Sequence, residues 1–519
     1  MINETTHFIS YYREEETAIA EQFITLLEDR YEEIQKAFQF NAATQKYIFR
    51  LCGSVEEYIV ATGKTKEEYQ DWMVGHSNAD THTICLLSPN ASEEAANQDM
   101  EKVAVHELVH MMFDDATGVA EDDAEVWLAE GIAVLYAEQT ELQYVSETDY
   151  PKLAELVGFD NFVDNGGYDY AGIYVWYFIK KFGFDKFLET YREECHWQRM
   201  IYDGFEAEAI REFSMVKFVH EVFELHGENT EPERLSGGWT NHVFAAGNLV
   251  LRFTSNLESG RLPRETKLAK LLPKQAGYPE IIDSGRTKKF DWMLCRRISG
   301  TSLEDAWGNL AWKERADALE QLWKKVKFVH TVNVKNAERY VNKSLWYMSG
   351  IENAVTKTKR LLERKLINAE QCDVLKGYIY RFETAMRKAD FVLVHGDLTP
   401  ANAMWQNGEI TALMDFECAT ITPKEADLMM LLNTAYERMD LPSAVHDLES
   451  EQQFHNRIRK LVQKEAPDWD ILQGYRVIKL VHHVVMDMND EDFSLEHEEL
   501  VCLLALLKDG KGKLAPVMQ

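Results

Sequence analysis

Two groups of residues in this chain have the types and spacing that chemistry requires. The first is Val394-His-Gly-Asp-Leu-Thr-Pro-Ala-Asn402, followed by Ala412-Leu-Met-Asp-Phe-Glu417. Phosphoryl transfer needs a carboxylate beside the attacking hydroxyl and hard oxygen ligands for magnesium. Asp397 and Asn402 stand five positions apart, the H-x-D-x-x-x-x-N spacing of a catalytic loop. Asp415, thirteen positions further on, ends an apolar run, where a carboxylate is costly unless a cation or a donor meets it. The second group is Val105-His-Glu-Leu-Val-His110. On a helix, His106 and His110 lie one turn apart on one face and can share a zinc ion, with Glu107 beside them as general base. Glu130, twenty positions after His110 in Trp127-Leu-Ala-Glu-Gly-Ile-Ala, can complete a His, His, Glu ligand set and leave a fourth position for water.

The elements that must carry these residues change character along the chain. Residues 14–38 have apolar positions at helical spacing, with Ile19, Phe23, Leu26, Leu27 and Tyr31 on one side. Residues 46–52 and 81–87 read as strands, and 100–225 as almost wholly helical. A polar run with Gly and Pro, starting at His226, marks a boundary. Beyond it, residues 243–253 predict a hairpin turning at Gly247-Asn248, residues 260–272 a helix and 292–295 a strand. Helices dominate from Ser302, interrupted by short strands at 391–394 and 410–415. The Gly-Lys-Gly-Lys at 510–513 lacks the strand and loop of a P-loop and reads as a frayed tail.

Charge supports the same division. The chain has 87 acidic and 56 basic residues, and residues 1–225 hold 45 and 16 of them, a net of −29. The remainder holds 87 − 45 = 42 and 56 − 16 = 40, a net of −2. Two domains with different surfaces are implied, and nucleic acid is excluded as a partner, because phosphate contacts need a basic patch. The seven cysteines are scattered, with no C-x-x-C, as expected of reduced thiols. The first residues lack a basic stretch followed by an apolar run, and no stretch is apolar for long enough to span a membrane. A cytoplasmic protein is expected.

The first group of residues resembles the aminoglycoside phosphotransferase and choline kinase-like family, with its His-Gly-Asp-x-x-x-x-Asn loop and Asp-Phe/Trp-Glu strand end. The resemblance covers nearly all of 230–519. It implies that Asp397 is catalytic and that Asn402 and Asp415 hold Mg2+. It also implies that Leu235-Ser-Gly-Gly-Trp-Thr-Asn241 is the turn over the nucleotide phosphates, with Gly237, Gly238 and Asn241 as binding residues. Arg252 stands where third-strand lysines usually stand and remains able to neutralise phosphate; Glu265 is its expected partner. Either ATP or GTP suits the pattern. The acceptor implied is a hydroxylated small molecule. Asp487, Asp490, Glu491, Asp492, Glu496, Glu498 and Glu499 suggest a cationic one, aminoglycoside-like or an aminoalcohol, although a solvated helix end explains them equally well.

The second group resembles the gluzincin metallopeptidases over about residues 1–225, most specifically over 103–140. It implies a Zn2+ site at His106, His110 and Glu130, Glu107 as base, and a peptide substrate. Tyr170 of Tyr168-Asp-Tyr-Ala-Gly-Ile-Tyr174 is the candidate for a phenol at the oxyanion, with Tyr168 and Tyr174 as alternatives and a core tyrosine as the plainer reading of each. The fold expected is α+β and multidomain: a mostly helical gluzincin-like peptidase domain (1–225), then a bilobal protein-kinase-like domain with N-lobe 230–298 and helical C-lobe 299–519. Three functions fit: a bifunctional kinase and peptidase, a kinase with an inert peptidase-like domain, or a zinc peptidase with a nucleotide-sensing pseudokinase.

Overall fold

The computed structural model describes the chain apart from residues 39–44, 120–123, 141–144, 193–196, 236–240, 344–350, 437–447, 467, 490–492 and 509–519. Gly237, Gly238, Asp490, Glu491, Asp492 and the Gly-Lys pairs at 510–513 thus lie outside the described residues. The chain divides into two compact units, Met1–Glu221 and Val222–Gln519. Among the described residues, no helix is long and apolar enough to cross a membrane.

The amino-terminal unit holds more sheet than its sequence suggests. Strands β1 (Ile2–Glu4), β2 (Phe8–Tyr11), β3 (Tyr47–Cys52), β4 (Gly75–Asn78) and β5 (Thr83–Leu87) form one sheet in the order β1-β2-β3-β5-β4. β2, β3 and β5 are parallel, and the two edges are antiparallel. β5, Thr-Ile-Cys-Leu-Leu, is buried throughout, as a strand covered on both faces must be. β4, Gly-His-Ser-Asn, is half-buried and polar, and it borders the cavity described below. Helix α1 (Thr17–Phe38) makes the crossover from β2 to β3 and buries Ala20, Phe23, Ile24, Leu27, Tyr31 and Ile34, a single apolar stripe.

Two helices after the sheet carry the H-E-x-x-H and Glu130 segments. Helix α2 (Met100–Thr117) begins at Asp99, whose side chain accepts from Lys102 N, and ends at Gly118 with φ +69°. Helix α3 (Val126–Tyr136) buries every residue from Trp127 to Val134. After α4 (Phe159–Asp164) comes α5 (Gly167–Phe182). A Cβ on Gly131 would lie 2.7 Å from Ala171 O of α5, and one on Gly172 would lie 2.9 Å from Val134 Cγ1 of α3. Small residues on both partners therefore let α3 and α5 approach closely, which fixes the helix that carries Glu130.

The carboxyl-terminal unit begins with an antiparallel sheet of β6 (Glu233–Arg234), β7 (His242–Ala246), β8 (Leu249–Thr254), β9 (Ile281–Arg286) and β10 (Asp291–Arg296), in the order β6-β7-β8-β10-β9. The β7–β8 hairpin turns at Gly247-Asn248, with Ala246 facing Leu249 and Gly247 at φ +48°. Helix α6 (Arg261–Ala269) follows β8. The rest is mainly helical and includes α7 (Trp312–Val329), α8 (Ala369–Met386), α9 (Glu425–Tyr436) and α10 (Trp469–Asp487). Leu322, Trp323 and Val326 of α7, Leu375 and Ile379 of α8, and Val477 and Val481 of α10 share one core. Against that core lie short strands β11 (Thr301–Ser302), β12 (Val392–Val394), β13 (Ala403–Gln406), β14 (Glu409–Leu413) and β15 (Thr420–Thr422), paired as β11-β13-β14 and β12-β15. The whole is a mixed α/β protein with a kinase-like fold in its carboxyl-terminal part.

Candidate active sites

In the carboxyl-terminal unit, β12 runs straight into His395-Gly-Asp397. The loop is gripped from below by Asp427 of α9, fully buried, which accepts from His395 N (3.0 Å) and Gly396 N (3.1 Å). The same carboxylate lies 2.9 Å from His330 Nε2, just past α7. His395 Nε2 lies 2.9 Å from Met414 O, and Met414 N donates to Asn402 O at 2.9 Å, so the loop and the Asp415 turn are tied together twice. Asn402 Nδ2 donates to both the backbone O and Oδ2 of Asp397, each at 2.9 Å. Burial raises the Asp397 carboxyl above its ordinary range; the charge of His395 opposes this and that of Asp415 adds to it.

Asp415 lies past the end of β14 with φ +59°, a left-handed conformation that aspartate tolerates better than most residues. Its Oδ1 is 3.3 Å from Arg252 Nη2, and Glu417 Oε1 is 3.5 Å from the same nitrogen. Arg252 Nη1 reaches Glu265 Oε1 at 2.9 Å. That oxygen also accepts from Tyr278 Oη (2.9 Å) and Phe416 N (2.9 Å). Burial opposes the charge on Arg252, but Glu265 and then Asp415 outweigh it and hold the guanidinium protonated well above its usual range. Glu417 is pushed up by burial and by Asp415, and it accepts from Asn241 Nδ2. Arg252, Glu265, Asn241 and Asp415 thus meet in one cluster, while Asp397 and Asn402 form a pair in the adjoining loop. Three carboxylates, those of Glu265, Asp415 and Glu417, have oxygens within 4.8 Å of one another and suit a hard cation. Glu417, Tyr278 and Asp427 were not among the site residues expected. Glu417 was in plain sight in the Asp-Phe-Glu triplet; Asp427 has no local pattern to betray it.

In the amino-terminal unit, α2 presents His106 and His110 to Glu130 of α3, and all three are buried. His106 Nε2 is 3.0 Å from His110 Nε2 and 3.1 Å from Glu130 Oε2, and His110 Nε2 is 3.8 Å from Glu130 Oε2. Ligands about 2.0–2.1 Å from a tetrahedral zinc ion stand roughly 3.3 Å apart. The three donors bracket that spacing, and their N, N, O chemistry is that of a zinc centre, so the residues fit the metal. Burial alone would raise Glu130, but hydrogen bonds and charge from His106 and His110 hold it far below the carboxylate range. His106 Nδ1 lies 2.7 Å from Gln139 Oε1, which orients the ring so that Nε2 points to the donors. Gln139 was not foreseen, since it follows α3 with no motif of its own.

These residues open onto a cavity of about 740 Å3, lined also by Glu107, His76 and β4. Glu107 lies over the edge strand: a Cβ on Gly75 would be 2.6 Å from Glu107 Oε1 and from Val103 Cγ1. The three tyrosines separate here. Tyr170 turns its hydroxyl into the protein, accepting from Ser146 N (2.9 Å) and donating to Asp149 O (3.2 Å), and Tyr174 donates to Pro151 O (2.8 Å). Tyr168 is the one that lines the cavity, with its ring 6.5 Å from that of His106.

Residues 231–467 match the model of the Phosphotransferase enzyme family. The carboxyl-terminal unit contains a phosphotransferase-family domain. Among solved structures, the GDP complex of aminoglycoside 2'-phosphotransferase-IIIa is similar, at 17% identity over 57% of this chain and 97% of that chain, with a TM-score of 0.43. ADP-bound aminoglycoside phosphotransferase APH(2'')-Ib is 14% identical over 56% and 96%, with a TM-score of 0.39. The streptomycin–ATP complex of APH(2")-IIa is 15% identical over 57% and 97%, with a TM-score of 0.38. No curated protein matches the chain.

Proposed function

We propose that the chain is a bifunctional enzyme: a kinase that moves the γ-phosphate of ATP or GTP to a hydroxyl of a small molecule, and a zinc-dependent peptidase. The observation carrying the kinase half is the Asp397 carboxylate fixed by Asn402, beside the Arg252–Glu265–Asp415 cluster. Asp397 orients the acceptor hydroxyl and receives its proton as the oxygen bonds to phosphorus and the bridge to the nucleotide diphosphate breaks. Arg252 neutralises phosphate charge. Asn402 and Asp415 would hold Mg2+, which supplies charge neutralisation at the phosphates.

The peptidase half rests on the convergence of His106, His110 and Glu130 with Glu107 in the same cavity. Zinc held there would supply Lewis acidity and lower the pKa of a bound water. Glu107 accepts the proton of the attacking water and delivers it to the leaving amine. Tyr168, which lines the same cavity, is the phenol we assign to the oxyanion in place of Tyr170. β4, the edge strand of its sheet, borders the cavity and would be the strand along which an extended peptide lies.

A panel of hydroxylated amines, neutral sugars and aminoalcohols, assayed for nucleotide turnover, tests the first activity. Turnover that no acceptor stimulates would sink it, and neutral acceptors used as well as amines would reject a cationic one. For the second, metal analysis should find about one zinc per chain, lost in His106→Ala, His110→Ala or Glu130→Ala and kept in Glu107→Gln. Zinc-loaded protein that retains no metal would remove the peptidase reading.

A further inference from the structure

The cavity beside His106, His110 and Glu130 has a mouth of unusual composition. Trp72, in the turn before β4, and Phe159, at the start of α4, stack with ring centroids 6.4 Å apart and planes inclined by 26°. Both line the cavity, yet they remain 47% and 44% exposed. Tyr168, also 38% exposed, continues the same wall. Large aromatic rings left in solvent at the rim of a cavity are a binding surface more often than a packing defect.

Charge decides what that surface binds. Among the described residues, the cavity is lined by five carboxylates, Asp80, Asp169, Asp114, Glu107 and Glu130, and by one lysine or arginine, Lys64. Even with a dication held by the histidines, the lining stays net negative. Residues 1–225, which include the whole of this unit, carry a net charge of −29, so the field at the mouth draws cations and repels anions. A long basic side chain satisfies both features at once: its aliphatic stem lies against aromatic faces while its charged head meets carboxylates. An apolar side chain would use the rings alone, and an acidic one would be repelled.

We infer that this cavity selects peptides carrying arginine or lysine next to the bond at the His106–His110–Glu130 centre, through Trp72, Phe159 and the rim carboxylates Asp80 and Asp169. The inference rests on the peptidase reading for its position, and binding and cleavage can be separated. The full chain with Glu107→Gln, loaded with zinc, is titrated with dye-labelled hexapeptides that differ only in a central Arg, Leu or Glu. The Arg peptide binds at least about tenfold more tightly than the Glu peptide, and the gap narrows as salt is raised. Trp72→Ala weakens the Arg peptide more than the Glu peptide, and Asp80→Asn with Asp169→Asn narrows the gap further. Trp72 and Asp80 are exposed and Asp169 is half-buried, and Asp→Asn keeps the side chain's shape, so chemical denaturation of both variants should match the parent chain. Equal binding of the Arg, Leu and Glu peptides, or retention of the gap in both variants, overturns the inference. If the Arg peptide binds preferentially but the chain with Glu107 intact cleaves none of the three, the selectivity stands and the peptidase reading falls.

Discussion

In the carboxyl-terminal unit, three carboxylates gather around Arg252: Glu265 from the next helix, and Asp415 and Glu417 from more than a hundred and fifty positions away. In the amino-terminal unit, one carboxylate gathers with two imidazoles from the neighbouring helix, all within residues 106–130. The first cluster contains a charge that never titrates away, so its carboxylates are partly neutralised at any working pH. The second contains donors that face one another, an arrangement that only a shared proton or a cation makes favourable. The difference separates a site preassembled by ion pairs from one that takes its full stability from what it binds.

The largest effect should come from the loop beside the first cluster. Asp397→Ala is expected to lower phosphotransfer by about 10²–10⁴-fold while nucleotide affinity changes little, because the carboxylate acts on the acceptor hydroxyl. Steady-state rates and nucleotide titration measure the two quantities, and a variant retaining a tenth of its rate would remove Asp397 from that role. Arg252→Ala next tests preassembly. It strands Glu265 and Glu417 in buried surroundings and should cost about 3–5 kcal/mol in chemical denaturation of this unit. A loss under 1 kcal/mol would mean that the carboxylates do not depend on the arginine.

Smaller effects sharpen the other side. Gln139→Ala should weaken zinc about 10–100-fold in competition with a chelator, since Gln139 only orients the His106 ring. Unchanged affinity would show that α2 alone sets the ring. Smallest is Tyr170→Phe, expected to cost roughly 1 kcal/mol of stability through its two lost hydrogen bonds and to leave peptide hydrolysis unaltered. If Tyr170→Phe slows hydrolysis and Tyr168→Phe does not, the assignment of the two phenols reverses.

What could be read from the residues alone follows physical lines. The two short motifs were legible because their chemistry is local: His106 and His110 share a helical face, and Asp397 and Asn402 share a loop. The β7–β8 hairpin was legible from its turn residues. Strand β4 was not, because an edge strand of Gly-His-Ser-Asn has no apolar alternation to signal it. Tyr168 and Tyr170 could not be told apart, since one helical turn holds both and the loop at Ser146 and Asp149, which takes the Tyr170 hydroxyl, lies some twenty positions away. Asp427 and Gln139 act on residues distant in sequence, where no spacing rule reaches.

The left-handed backbone at Asp415 carries a consequence for how this fold is tuned. A non-glycine residue there gives up about 1 kcal/mol relative to one in the ordinary regions, and its carboxylate adds repulsion to Glu417. Glycine would relieve the strain and the repulsion together, yet it would remove the group aimed at Arg252 and at a cation. Under the phosphotransfer proposed above, the position is one where robustness and catalysis pull in opposite directions. Selection for heat resistance alone would drift toward glycine at this position and away from a cluster able to hold a cation.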